Sequence, residues 1–144
     1  MSKVMLFCTS LLATSMLWAG GAEWIEDIEA AQEMAKAKNR PILVNFTGSD
    51  WCGWCKRLDR EVFSQNEFAS FAKENLVLLK VDFPKYRKLS KEKMRQNYAF
   101  ANKYGVMGYP TIYLMDSSGR TILKTGYVPG GAERYIQHLT EAMN

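Results

Sequence analysis

Two cysteines separated by two residues, Cys52 and Cys55, are the part of this sequence best suited to chemistry. Thiols at this spacing can form a disulfide within one helical turn. They can also take a disulfide from another protein through a mixed-disulfide intermediate. An apolar run at 42–46 precedes the pair, and a helix-compatible stretch follows it from Lys56. A strand, a turn and a cysteine pair that opens a helix together predict a redox dithiol.

The first 21 residues are predicted to be a secretory signal peptide. Lys3 is followed by a mostly apolar run at 4–18 and by the small residues of 19–22, which is the pattern of a cleaved leader. An uncleaved membrane anchor is the alternative, but the run is shorter than the ~20 residues that a spanning helix needs. We therefore expect residues 22–144 to form one domain, located in the periplasm or outside the cell.

A static disulfide and a zinc site are the other interpretations of the cysteine pair. Loss of Cys8 with the leader would leave two cysteines, and a disulfide that closes so short a loop removes little entropy from the unfolded chain. A closed zinc site takes about four ligands, whereas the chain has a single histidine, His138, near its C-terminus. Redox chemistry is favoured, and no metal is expected.

The rest of the sequence alternates between helical and strand patterns. Helices are predicted at 23–38, 52–62, 66–73, 90–103 and 132–143, and strands at 42–46, 76–81, 111–115 and 120–124. The early alternation implies a parallel pair of strands with crossover helices, and the late hairpin adds antiparallel strands. The predicted class is α/β with a mixed sheet, and Met94, Tyr98 and Ala101 are expected to form the apolar stripe of the fourth helix.

The net charge of +4 is concentrated between Lys80 and Lys103. A basic stretch of this kind most often forms a solvated helix face, and a docking surface for an acidic partner is the alternative. The export signal argues against nucleic-acid binding, and so does the lack of interleaved aromatic residues in this stretch.

Three segments of the chain resemble the thioredoxin-like family. They are the active-site segment Val44-Asn45-Phe46 with Asp50 to Lys56, the loop Tyr104 to Thr111, and Gly126 with the terminal helix. The Asp-Trp-Cys opening and the extra residue in Thr47 to Asp50 more closely resemble exported thioredoxin-like domains, such as the C-terminal domain of the transmembrane disulfide reductase, than thioredoxin itself. The resemblance covers residues 24–144. It implies a three-layer α/β/α sandwich with a central mixed sheet.

The resemblance assigns roles to the two thiols. Cys52 would be the attacking thiol at a helix N-terminus, where the dipole favours the thiolate, and Cys55 would be the more buried resolving thiol. Lys56 and Arg57 would add positive charge that favours the thiolate further, and Asp50 would oppose it.

A client-binding site is also implied. Pro110 is expected to be cis and to pack against the disulfide, while Tyr109 offers its backbone to an extended client peptide. Trp54 is expected to be exposed beside Cys52 as an apolar contact for clients, and Trp51 is expected to be a packing residue.

Two departures from thioredoxins limit what the resemblance implies. Gly53-Trp54 replaces the Gly-Pro that separates the cysteines of thioredoxins, so the reduction potential does not carry over. Asn45 occupies the position where thioredoxins bury an aspartate that assists proton transfer to the resolving thiol. Either Asp50 or Lys80 does this work through water, or resolution of the mixed disulfide is slower.

The sequence and the resemblance predict an exported thiol–disulfide oxidoreductase of the protein-disulfide reductase type. It would act as a monomer on exported proteins with cysteines or disulfides and be recharged by a membrane electron donor. No cofactor is expected, because the two thiols carry the electrons. The alternatives are a non-catalytic peptide-binding or chaperone-like module with a static disulfide, and an oxidase or isomerase. The usual exported isomerase is a dimer with an extra domain, for which this chain has no room.

Overall fold

The computed structural model describes residues 21–144, so the predicted signal peptide lies outside the described residues except for its last one. The strands are β1 (Ile42–Thr47), β2 (Val77–Asp82), β3 (Thr111–Met115) and β4 (Thr121–Thr125). The helices are α1 (Ile28–Lys38), α2 (Gly53–Leu58), α3 (Asn66–Asn75), α4 (Lys91–Lys103) and α5 (Gly131–Met143). A π-helical turn, Asp59–Phe63, continues α2. Within the described range, no helix is long and apolar enough to cross a membrane.

The four strands form one sheet in the order β2-β1-β3-β4. Strand β1 pairs in parallel with β2 and antiparallel with β3, and β3 and β4 form an antiparallel hairpin. The predicted mixed sheet is thereby confirmed. All six residues of β1 are buried, as expected for a central strand covered on both faces.

Helices cover both faces of the sheet and create two apolar cores. On one face, α1 and α4 pack on side chains such as Val44 and Phe46 of β1. On the other face, α2, α3 and α5 pack on alternate residues such as Leu43 and Leu114. Because successive strand side chains point to opposite faces, β1, β2 and β3 each contribute to both cores, whereas β4 contributes Leu123 to the second core alone. The expectation of a three-layer α/β/α sandwich is confirmed.

The first helix begins later than its apolar spacing predicted. It starts at Ile28 rather than at residue 23, and Asp27 caps it by accepting a hydrogen bond from the third residue on. The preceding segment is extended, and Ile25 makes two backbone hydrogen bonds with the edge of β2, to Leu78 (2.9 Å) and Lys80 (2.8 Å). These bonds use backbone groups of β2 that a longer helix would leave unpaired.

Helix α4 turns Met94 and Ala101 to the core as predicted, but not Tyr98. Its buried residues are Asn97, Phe100 and Ala101, whereas Tyr98 is 52% exposed. The side-chain amide of Asn97 donates to the backbone oxygen of Asp82 at 3.0 Å. The apolar spacing is therefore wrong at Tyr98, and the buried polar residue Asn97, which it did not predict, faces the core instead.

Candidate active site

The cysteine pair lies where the central strand β1 passes through a short turn into α2. Cys52 is the N-cap residue of α2 and is disulfide-bonded to Cys55, with 5.2 Å between their Cα atoms. The backbone N–H of Cys55 donates to the Sγ of Cys52 at 3.2 Å. The two residues are 7% and 5% exposed, so the difference in burial between them is small. A sulfur that accepts a backbone hydrogen bond at a helix N-terminus is favoured as a thiolate.

Trp51 joins the turn before Cys52 to neighbouring segments. Its indole N–H donates to the backbone oxygen of Phe83 at 2.7 Å, and its ring meets that of Tyr109 edge-on at 6.0 Å. A Cβ atom on Gly48 would overlap the indole, so the close approach of ring and backbone requires glycine there. Trp51 therefore packs between the active-site turn and two other loops.

The loop between α4 and β3 also lies next to the disulfide. The Tyr109–Pro110 peptide bond is cis, and the carbonyl oxygen of Tyr109 lies 3.7 Å from the Sγ of Cys52. The ring of Tyr109 stacks on Phe83 with 5.1 Å between centroids. The structure thus brings the Tyr109 carbonyl to Cys52 next to a cis proline, while the packing of Pro110 on the disulfide and the client role of Tyr109 stay predictions.

Asp50 is hydrogen-bonded to the loop that connects β2 to α4. We call this connection the 83–89 loop. Its carboxylate accepts hydrogen bonds from the backbone N–H groups of Lys85 (2.9 Å), Tyr86 (2.9 Å) and Arg87 (2.7 Å). Burial raises the pKa of Asp50, but the three hydrogen bonds outweigh it and the pKa lies below its usual value. A carboxylate held ionised in this way is a poor carrier of protons, so the geometry favours a structural role.

Asp82, which the sequence analysis did not single out, makes a second link between the turn and β2. Its carboxylate accepts from both the backbone N–H (3.0 Å) and the hydroxyl (2.5 Å) of Ser49, and from Arg87 (2.9 Å). No local pattern marks this residue in the sequence, because its partners come from other elements. In the part of the chain that the structure describes, no three His, Cys, Asp or Glu side chains are grouped to hold a metal ion.

Asn45 lies on β1 between Lys80 of β2 and Ile112 of β3. Strand alternation places it on the same face as Leu43, which α2 helps to cover. Asn45 is 8% exposed, and its side-chain oxygen has no hydrogen-bond partner among the residues described. The amide is therefore a buried polar group on the face that carries the cysteine helix.

Trp54 is 56% exposed between the two cysteines, as expected, and belongs to a cluster that the sequence analysis did not identify. Its ring lies 5.2 Å from that of Tyr127, and the Arg57 guanidinium lies over both rings at 5.4 and 5.2 Å. Glu61 bonds to both Arg57 and Tyr127. The i,i+4 spacing of Arg57 and Glu61 is a readable signal for their pairing, whereas Tyr127 is too distant in sequence to be found locally.

This cluster changes the expected electrostatics of the site. Hydrogen bonds from Tyr127 and Arg57 lower the pKa of Glu61, so its negative charge offsets that of Arg57. Lys56, by contrast, is exposed directly after Cys55. Of the two cations expected near the thiols, only Lys56 carries a charge with no ion-pair partner within residues 21–144.

Comparisons with known proteins agree with this geometry. Residues 28–142 match the family model described as a thioredoxin-like domain. Disulfide bond reductase DsbH of Chlamydia pneumoniae is 31% identical over 134 residues, which are 93% of this chain and 80% of that protein. A solved structure described as DsbH oxidoreductase superposes with a TM-score of 0.82 at 30% identity, covering 99% of this chain and 94% of the other.

A more distant structure shares the fold. The oxidised C-terminal domain of DsbD from Neisseria meningitidis superposes with a TM-score of 0.61 at 20% identity, covering 83% of this chain and 99% of that domain. The family model covers most of the chain, and a relative of similar length exceeds 30% identity. From its sequence and its fold, this chain belongs to the thioredoxin-like family.

Proposed function

We propose that this protein is an exported thiol–disulfide reductase that acts on disulfides of other exported proteins through Cys52 and Cys55. The observation that carries the proposal is the disulfide at the start of α2 with the Tyr109 carbonyl 3.7 Å from Cys52. Relatives named disulfide bond reductase and thiol:disulfide interchange protein support the enzyme class. The enzyme class that these relatives share with this chain is thiol–disulfide oxidoreductase.

The reaction is a pair of thiol–disulfide exchanges. In the reduced protein the Cys52 thiolate attacks one sulfur of the client disulfide, and the other client sulfur leaves as a thiolate that takes up a proton. Cys55 then loses its proton and attacks the Sγ of Cys52. The mixed disulfide breaks, the Cys52–Cys55 disulfide forms, and the second client sulfur leaves. Two electrons pass from the pair to the client.

The surroundings of each sulfur support this division of work. The Cys55 N–H that donates to the Cys52 sulfur would stabilise the attacking thiolate. Cys55 lies inside α2, one turn further on, and is bonded to the Cys52 sulfur. An extended client peptide that pairs with the backbone at Tyr109 would bring its disulfide to Cys52. Trp54, exposed beside the pair, offers an apolar contact to the same client.

After each turnover the pair must be reduced again. We place the electron donor in the membrane and the protein in the periplasm or outside the cell. The leader pattern predicts export, and disulfides persist in exported compartments, away from cytosolic thiol reductants. The protein would work as a monomer and without a cofactor, because the two thiols accept and donate the electrons themselves.

Cysteine replacements test the mechanism directly. With dithiothreitol as electron source and insulin as the disulfide client, we expect Cys52→Ser to lose turnover, because the attacking sulfur is absent. Cys55→Ser, reduced and freed of dithiothreitol before insulin is added, should accumulate a mixed disulfide with the client, detectable by mass spectrometry under non-reducing conditions. Turnover of the client by the Cys52→Ser protein would contradict the proposal.

A peptide-binding module with a static disulfide is the second candidate, and the low exposure of both cysteines favours it. Equilibration of the folded protein with dithiothreitol or glutathione separates the two candidates. A potential near or below about −230 mV supports the reductase, and one between about −180 and −120 mV supports an oxidase or isomerase. A pair that stays oxidised in excess dithiothreitol would identify the binding module.

A further inference from the structure

Trp54 is in contact with Tyr127 and Arg57, two side chains outside the cysteine motif that Glu61 joins to each other. We propose that Arg57, Glu61 and Tyr127 are positioning residues that fix the Trp54 indole beside the redox pair as a preformed contact for the client polypeptide. The inference rests on the proposed reductase function. It adds the residues that set the affinity for protein clients.

The Glu61 carboxylate connects the cluster. Its Oε1 accepts from the Nε of Arg57 at 2.8 Å, and its Oε2 accepts from the Tyr127 hydroxyl at 2.5 Å. Arg57 lies one turn earlier on the cysteine helix, whereas Tyr127 comes from the connection between β4 and α5. Both carboxylate oxygens are thus used, and they fix the guanidinium and the phenol ring relative to each other.

The fixed groups form a support for the indole. The Tyr127 ring is tilted by 51° against that of Trp54, and the Arg57 guanidinium lies within 5.4 Å of the centroids of both rings. Aromatic and cation–π contacts of this kind are individually weak at exposed sites. Several acting together favour one orientation of an indole that is 56% exposed.

The orientation of this ring matters because Cys52 itself offers little surface. Cys52 is 7% exposed, and Trp54, two residues on, is the large exposed apolar side chain of the cysteine motif. A contact that is ordered before the client arrives loses less conformational entropy on binding. The three side chains bond to one another rather than to a sulfur. Their loss should therefore weaken client binding while leaving the exchange chemistry intact.

A double-mutant cycle separates this role from simple stabilisation of the helix. With insulin as client, we expect Tyr127→Ala to raise KM about 3- to 10-fold with little change in kcat. Reduction of a small disulfide such as oxidised glutathione should not change. In a Trp54→Ala background, Tyr127→Ala should add nothing further. An equal effect of Tyr127→Ala with and without Trp54 would overturn the inference.

Matched variants of two ion pairs provide the control. Glu61→Gln removes the charge that joins Arg57 to Tyr127, and we expect a smaller rise in KM. Glu92→Gln removes the partner of Arg95 in an exposed ion pair on α4 and should leave KM unchanged. Equal changes in both variants would show a general charge effect and contradict the positioning role.

A spectroscopic measurement keeps the test independent of turnover. In protein labelled with fluorotryptophan, the Trp54 resonance can be assigned by its loss in Trp54→Phe. Tyr127→Ala should shift it towards the position of unfolded chain while those of Trp24 and Trp51 stay in place. A Trp54 resonance that does not move would overturn this inference alone. Failure of the unaltered protein to reduce any client would overturn the proposed function instead.

Discussion

Asn45 cannot assist proton transfer in the way that the buried aspartate of thioredoxins does at the same position. Its amide can accept or donate a hydrogen bond, but it cannot take up the proton that a resolving thiol must lose. Its oxygen is also unpaired among the described residues, and an unsatisfied buried acceptor costs about 1–3 kcal/mol. Since Asp50 is held ionised by backbone N–H groups, it is a poor carrier for this proton, which leaves Lys80 acting through water or a slower resolution of the mixed disulfide.

Placing a carboxyl group at this position, by Asn45→Asp, should make stability depend on pH. Burial raises the pKa of the introduced carboxyl, so the folded protein would keep its proton to higher pH than the unfolded chain. The free energy of unfolding should then fall as pH rises from about 4, the usual aspartate pKa, and level off above the folded-state pKa. Urea denaturation between pH 4 and 8 measures this.

The control for this prediction is Asn45→Ala, which removes the amide without adding a titrating group. The free energy of unfolding of Asn45→Ala should be lower than that of the unaltered protein by the same amount at every pH. If Asn45→Asp and Asn45→Ala showed the same pH dependence, the position would be open enough for water to solvate the carboxylate, contrary to its 8% exposure.

At the scale of elements, the 83–89 loop is organised by a residue outside it. The loop contains no helix or strand, yet three successive N–H groups bond to one carboxylate on the active-site turn. The exposed side chains of Lys85 and Tyr86 are therefore carried on a backbone that is fixed to the segment next to Cys52. Loops held in this way can present side chains to a partner with little loss of entropy.

Asp50→Ala should release this loop. We expect the amide protons of residues 85–87 to exchange with solvent about 10-fold faster or more, measured as protection factors by NMR. The pKa of Asp50 lies below its usual value. Protection should therefore be complete above about pH 4 and be lost only as pH falls through the lowered pKa.

Asp116→Ala is the matched control, because Asp116 holds the β3–β4 turn through the N–H groups of Ser118 and Arg120. This change should speed exchange in that turn and leave residues 85–87 protected. Unchanged protection of residues 85–87 in Asp50→Ala would show that the loop is held by other contacts.

Local patterns predicted the elements wherever the local signal and the tertiary contacts agree. The apolar runs placed all four strands, and the cysteine spacing placed the start of α2. The sequence failed where a distant partner decided the outcome. Ile25 pairs with the edge of β2 instead of joining helix α1, and in α4 Asn97, bonded to Asp82, is buried while Tyr98 is exposed.

The candidate site also combines residues that a local pattern marks with residues that only the fold brings together. The sequence predicts Cys52, Cys55, Trp54 and the Tyr109–Pro110 segment, because a motif or a family resemblance marks each of them. The Glu61–Tyr127 hydrogen bond joins residues 66 positions apart. No periodicity or spacing rule reaches that far, so this part of the site could be found only in the folded molecule.

For the molecule as a whole, the site depends on a strand that is buried on every side. Strand β1 has neighbours on both edges and helices on both faces, and its C-terminal end leads into the turn before Cys52. Ile25 extends this protection to the outer strand β2 by bonding to Leu78 and Lys80. The sheet edge nearest the central strand is therefore partly covered by the chain itself.

Ile25→Pro tests this cover, because proline has no N–H to donate to Leu78. We expect a loss of about 1–2 kcal/mol in the free energy of unfolding and faster aggregation on mild heating, followed by light scattering. Glu23→Pro, in the same extended segment, is the control and should change neither property much. Aggregation at the rate of the unaltered protein in Ile25→Pro would show that the β2 edge needs no cover.

The bridge at Ile25 also bears on where a foreign polypeptide can add to this fold as a strand. An open sheet edge accepts any extended chain through its unpaired backbone groups, including another copy of the same protein. At β2 the groups of Leu78 and Lys80 are already used, and exposed Lys124 on the outer strand β4 opposes pairing there. In the proposed function the client pairs with the backbone at Tyr109 instead, which would place it beside the sulfur atoms rather than along a sheet edge.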